Sequence, residues 1–171
     1  MKTRLELGMA DTLEGSFRSA MRLTATSVTL LTCRDADGRF YGVANSSVAC
    51  LAMSPPSIMV GAQQQEATGL VITDTGYFCL NYVTEHHVAV VNKFAPSTHD
   101  EDPFDDGLWA LGHAGLPYLP TALASLMCKV VSTHRHADHT VFIGEIEATY
   151  IDAADERNPL IWLNGGPVQF S

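Results

Sequence analysis

The sequence predicts a mainly β fold, an antiparallel β-barrel with flanking helices. Strand-like runs recur along the whole chain and are joined by short turn segments. Helical periodicity is confined to three short stretches, near residues 11–23, 67–74 and 85–94. The strand–helix alternation of a parallel sheet is missing, and so is any GxGxxG or Walker-type loop, which argues against a doubly wound nucleotide-binding fold.

Taken in order, Asp11 to Leu23 places Leu13, Phe17, Ala20 and Met21 at helical spacing. Thr26 to Cys33 is β-rich, and Asp35-Ala36-Asp37-Gly38 is a hairpin turn in which Gly38 can take a positive φ. Arg39 to Val43 forms the return strand. A Ser54-Pro55-Pro56 corner precedes a strand at Ser57 to Ala62, and a helix from Ala67 to Asp74 ends at Gly76. Tyr77 to Val83 is a strand, Glu85 to Phe94 a helix, and Ala95 to Leu119 a long polar loop of the kind that carries function or mobility. Strands follow at Ala124 to Thr133 and Thr140 to Ile151, where Phe142, Gly144, Ile146, Ala148 and Tyr150 share a face by the period of two. Leu160 to Leu163 is a last short strand.

The 171 residues suit one domain, with residues 1–14 as a tail and 15–171 as the folded unit. At 46% hydrophobic and 17% charged residues the chain can bury a real core. Ten Lys and Arg against nineteen Asp and Glu give a net charge of −9, the wrong sign for a nucleic-acid partner. No apolar run approaches the ~18 residues of a membrane span, and the N-terminus lacks the apolar stretch of a signal peptide, so a cytoplasmic location is expected. Cys33, Cys50, Cys79 and Cys128 are widely spaced in apolar contexts and read as buried free thiols.

Tyr41 to Val60 (YGVANSSVACLAMSPPSIMV) is the most informative segment. Ala44, Asn45, Ser46, Ser47, Ala49 and Cys50 are small residues where a strand usually carries bulky ones. Two accounts fit: a tightly packed sheet corner, or a wall against which a flat ligand meets the backbone.

His134-Arg135-His136-Ala137-Asp138-His139 has the form HxHxDH and resembles the metal signature of the metallo-β-lactamase superfamily. No His follows His139, and the motif runs into a strand rather than through glycines into a helix. His134 and His136 are therefore expected to be turn residues.

Several segments together resemble the flavin reductase family, with its FMN-binding split-barrel fold of Greek-key type. They are Phe17 to Met21, Ser27 to Thr32, Asp35 to Gly42, Ala44 to Ser47, Ser54-Pro55-Pro56, Gly76 to Asn81, Lys93-Phe94-Ala95, Asp138 to Ile146 and Pro159-Leu160. The resemblance implies an NAD(P)H:flavin oxidoreductase that passes hydride from NADH or NADPH to FMN or FAD. The reduced flavin would supply a partner flavin-dependent monooxygenase, and the enzyme would be a homodimer. It further implies that Ala44, Asn45, Ser46, Ser47, Ala49 and Cys50 hold the flavin ring. Gln63, Gln65 and Thr68 would meet its phosphate and ribityl chain. Lys93 and Phe94 would lie near the phosphate or adenine, and His139 at the nicotinamide or ring. Ala44, Cys50 and Ala52 stand where members carry hydroxyls, and Gln63-Gln64-Gln65 lacks the cation that helps bind phosphate.

No catalytic residue beyond the cofactors is expected, because hydride transfer belongs to the two rings. Two other functions compete: a non-catalytic flavin-binding redox carrier, and an HxHxDH metallohydrolase.

Overall fold

The computed structural model describes residues 12–94, 102–152 and 157–170. Most of the 1–14 tail and residues 95–101 of the long loop lie outside the described residues.

Helix α1 (Leu13–Met21) is capped by Thr12, whose hydroxyl accepts from the Gly15 N–H at 3.1 Å. The expected first strand is interrupted at Val28 into β1 (Thr26–Ser27) and β2 (Thr29–Arg34). After the Gly38 turn (φ 90°) come β3 (Phe40–Asn45), β4 (Val48–Met53) and β5 (Pro56–Gln63). Helix α2 (Ala67–Thr75) stops at Gly76, whose φ of 73° is the left-handed cap that glycine adopts freely. Strand β6 (Tyr77–Tyr82) leads to a 3-10 turn (Glu85–His87) and α3 (Val88–Lys93). Short strands β7 (Ala110–Leu111) and β8 (Pro117–Tyr118) precede the long hairpin of β9 (Ala124–His136) and β10 (His139–Ile151). The chain ends with β11 (Ile161–Leu163) and β12 (Gly166–Pro167), which form a small sheet with β1.

Seven strands make one antiparallel sheet in the order β3-β2-β6-β9-β10-β5-β4. Its edges, β3 and β4, are consecutive in the chain yet share no ladder, so the barrel is split at that seam. Inside, Leu31, Cys33, Ile58, Val60, Phe78, Leu80, Cys128 and Phe142 pack with Ile72 of α2. A Cβ at Gly144 would stand 2.5 Å from the Phe78 ring and 2.9 Å from Cys128 Cβ, so that position must stay bare.

Outside, Val28 and Leu30 of the β2 region are covered by Val90, Val91 and Phe94 of the α3 region and by Leu119. Leu116 covers Cys79 and Met127. Within the described part of the 95–119 segment, Leu116 and Leu119 are 1% exposed and cover the sheet, whereas Asp102, Asp105, Leu108 and Leu111 are exposed. Asn81 ties cover and barrel together. Its amide nitrogen donates to Leu30 O and Thr32 Oγ1, and its oxygen accepts from Leu119 N and Ser125 Oγ.

Three other sequence expectations change. The register of β10 against β9 slips between Ile146 and Ala148, and a one-residue slip moves side chains to the other face. Ile146 therefore joins the barrel interior, whereas Ala148 meets the Cys79–Met127 cluster and Tyr150 stacks on Tyr118 at 4.6 Å. His134 and His136 are exposed strand residues of β9; the turn is Ala137-Asp138. Cys33, Cys79 and Cys128 are buried but Cys50 is exposed, because β4 lies on the seam.

Candidate functional site

The seam is organised by Asn45. Its amide oxygen accepts from the Ser47 N–H at 2.6 Å, an Asx turn that reverses the chain between β3 and β4. Its amide nitrogen donates to Gly61 O at 2.6 Å, bridging β3 to β5, and Thr29 Oγ1 donates to Asn45 O at 2.9 Å. Because Gly61 N also donates to Ser47 O, the corner is fastened on both sides of Gly61. The side chain of Asn45 is thus engaged in shaping the corner, leaving Ser46, Ser47, Ala49 and Cys50 exposed around it. Asn45→Ala removes both amide bonds and is expected to cost about 2–3 kcal/mol of stability, read as a lower thermal midpoint.

The two accounts of the small residues each hold for part of the segment. A Cβ at Gly42 would stand 2.7 Å from the Phe94 ring, and Ala44 packs on the same cluster. That face of β3 is filled by Phe94, Phe104 and Trp109, whose ring centroids lie 4.8–5.6 Å apart. From Ser46 onward nothing comparable covers the wall among the described residues, and a flat ligand could reach the backbone.

Next to this corner, the N-terminus of α2 meets the β9–β10 hairpin. The nine-residue α2 is too short to persist alone and is held by packing. A Cβ at Gly69 would be 2.5 Å from Gln63 O, so only glycine lets the first turn close onto the end of β5. Thr68 is buried there, its carbonyl accepting from Cys33 Sγ at 3.6 Å, so its side chain faces the core. Glu66 at the N-cap makes no side-chain capping bond, which leaves the free N–H groups of the first turn and the positive end of the helix dipole without a cap. Burial raises the Glu66 pKa, and His139 partly offsets this.

His139 sits opposite Gln63 in the β10–β5 ladder. Its Nδ1 donates to Asp138 Oδ1 at 2.8 Å, which holds the Asp138 carboxyl below its usual range and leaves Nε2 for a ligand. Gln64 carries no motif signal in the sequence, yet it fixes the hairpin turn. Its backbone N–H donates to Asp138 O at 2.8 Å, and its amide donates to His139 O at 2.8 Å and Ala137 O at 3.1 Å. Asn45 and Ser47 meet Gly61 of β5, His139 faces Gln63 two residues further on, and Ser46 and Gln65 are exposed beside them in the chain. Lys93 and Phe94 do not join them: Lys93 pairs with Asp106 at 3.0 Å, and Phe94 is buried against β3. Among the described residues no three His, Cys, Asp or Glu side chains converge as a metal site would require.

Residues 21–171 match the family model described as a flavin reductase like domain. The reductase component of an FADH(2)-dependent resorcinol hydroxylase from Rhizobium sp. (strain MTP-10005) is 30% identical over 150 residues, 87% of this chain and 83% of that protein. The NADH:riboflavin 5'-phosphate oxidoreductase of Streptomyces pristinaespiralis is 34% identical over 149 residues, 86% of this chain and 82% of its own. Among solved structures, nitrilotriacetate monooxygenase component B from Mycobacterium thermoresistibile superposes with a TM-score of 0.85 at 25% identity, covering 92% of this chain and 87% of that one. A split antiparallel barrel with an open, small-residue rim and this family match lead to one conclusion: the chain belongs to the flavin reductase family.

Proposed function

We propose that this chain is an NADH-dependent flavin reductase that reduces FMN or FAD and hands the reduced flavin to a partner monooxygenase. The observation that carries this is the rim itself, where an exposed backbone corner, an uncapped helix N-terminus and an oriented imidazole lie side by side. On this reading the corner from Ser46 to Cys50 supports the isoalloxazine ring through its main chain. Gln63 and Gln65 meet the ribityl chain, the first turn of α2 meets the phosphate, and His139 Nε2 orients the nicotinamide. Bound nicotinamide and flavin would supply the hydride-transfer chemistry themselves. The residues position and shield the rings, which is where the rate advantage of a bimolecular hydride transfer lies. Lys93 serves through its ion pair with Asp106, and Phe94 and Ala44 through packing, one layer behind the ring.

Among the described residues no pair of basic side chains lies at this rim, which favours NADH over NADPH. The oxygenase partner, a cytoplasmic location and a homodimer belong to the same proposal. No described helix is long and apolar enough to cross a membrane. Leu13, Phe17 and Met21 form an exposed stripe on α1, and Leu51, Met53 and Met59 are exposed on the β4–β5 wall, apolar positions that a second copy would cover. Sedimentation at micromolar concentration should give twice the 18.5-kDa chain mass; a single-chain mass would remove the dimer.

Gel filtration after loading with FMN separates the reductase from a redox carrier. A reductase with exchangeable flavin elutes colourless and regains NADH oxidation when flavin is added. Flavin that co-elutes with the protein, with slow NADH turnover, would favour the carrier.

A further inference from the structure

FMN and FAD carry phosphate, yet Gln63-Gln64-Gln65 offers no cation and Glu66 adds an acid at the helix end. The strand pairing supplies what the local sequence lacks. Thr140 pairs with Ala62 on one side and with Arg135 on the other. Residues directly opposite in adjacent strands point to the same face of the sheet and successive residues alternate, so Arg135, Thr140 and Ala62 share one face, the one opposite to the Gln63–His139 pair. That face carries α2, because a Cβ at Gly69 would lie 3.7 Å from Ala62 Cβ. Arg135 therefore stands two strand spacings, about 10 Å, from the strand on which the first turn of α2 rests. An extended arginine and a phosphate together span that separation.

The other cations are committed or distant. Lys2 and Arg4 lie outside the described residues. Arg18 is on α1, Arg22 donates to Asn164 O, Lys93 pairs with Asp106, and Arg157 pairs with Asp152. Arg34 packs over Gly38 and Gly115, on the face of β2 opposite Cys33 and α2, and Arg39 lies against the Asp35–Tyr41 pair. Lys129 faces Glu145 across the β9–β10 ladder. Arg135 is exposed, and its guanidinium makes no hydrogen bond or ion pair with any described residue.

We infer that Arg135 is the cation that binds the flavin phosphate at the α2 end of the rim. The inference rests on the flavin-site reading above and adds to it a residue drawn from the hairpin rather than from the β5–α2 loop. It makes flavin affinity depend on the phosphate: FMN should bind more tightly than riboflavin, and the difference should reside in Arg135, with Glu66 acting against it.

The test is a fluorescence titration of FMN and of riboflavin into the full chain and its Arg135→Ala and Arg135→Lys variants, with NADH titrated as a third ligand. Arg135→Ala is expected to weaken FMN binding about tenfold, the scale of one lost charge-assisted hydrogen bond. Riboflavin and NADH should be unchanged, and Arg135→Lys should restore most of the loss. An Arg135→Ala chain that binds FMN as the wild type does overturns this assignment alone. Weakened NADH with unchanged FMN also overturns it, because the cation then serves the dinucleotide. A wild-type chain that binds neither flavin overturns the site reading and this assignment with it. Melting curves of the variants confirm that an exposed substitution leaves the fold intact.

Discussion

Replacing His139 by alanine is expected to lower kcat/KM for NADH by about 100-fold, while His134→Ala leaves it within about twofold. The three histidines are close in sequence but not equivalent in the fold. His139 is the first residue of β10 and is paired with Gln63; its ring is set by Asp138 and its carbonyl by Gln64. Its Nδ1 is engaged by Asp138, so Nε2 is the ring nitrogen left for a ligand, and donors of this kind are worth most when the reacting groups must be aligned. His134, opposite Val141, lies on the exposed part of β9 beyond its pairing with β6, which ends at Lys129, whereas His136 is directly opposite His139. A metallohydrolase would reverse the pattern, losing activity with His134 and His136. Steady-state NADH oxidation with each variant distinguishes the two, and a silent His139→Ala would remove the histidine from the site.

Gly69→Val should abolish flavin reduction, by at least about 100-fold, and lower stability by about 1–3 kcal/mol. The first new carbon would fall 2.5 Å from the Gln63 carbonyl oxygen, a backbone atom that cannot rotate away. Helix α2 must then lift from β5. Its first-turn N–H groups leave the rim, and the Cys33–Thr68 bond that seats the helix is lost. The two effects are separable: circular dichroism reports the fold, and flavin fluorescence reports the site. Retained flavin binding with a displaced melting curve would show that the helix end is not part of the site.

The barrel was legible because each strand carries its own signal. Val and Ile runs, the Asp-Gly turn at Gly38 and the stop at Gly76 are local features that the fold did not override. The failures trace to tertiary facts. The slip in β10 near Glu147 leaves no mark in a sequence of continuous β-formers, so the shared face of Phe142 to Tyr150 was broken without a signal. The 95–119 segment looks polar in composition, but four of its apolar residues, Phe104, Trp109, Leu116 and Leu119, cover the outer face of the sheet.

At the site, the corner from Asn45 to Cys50 was visible as a run of small residues, but which of them are open was not. Ala44 belongs to a wall filled by Phe94 and Phe104, whereas Ser46 and Ser47 do not. Phe94 and Lys93 sit near the corner in sequence logic, and the fold gives them structural partners instead. Gln64 and Arg135 were invisible because their relevance depends on register: one ties β5 to the hairpin turn, and the other arrives through pairing across Thr140.

The most direct measurement is anaerobic mixing of the purified chain with NADH and FMN, following NADH at 340 nm and flavin at 450 nm together, with FAD and riboflavin in parallel runs. The rim described above predicts that both absorbances fall at the same rate in a one-to-one ratio, with FMN reduced faster than riboflavin at limiting concentration. NADH and FMN that remain unreacted for as long as they do without the protein would contradict it.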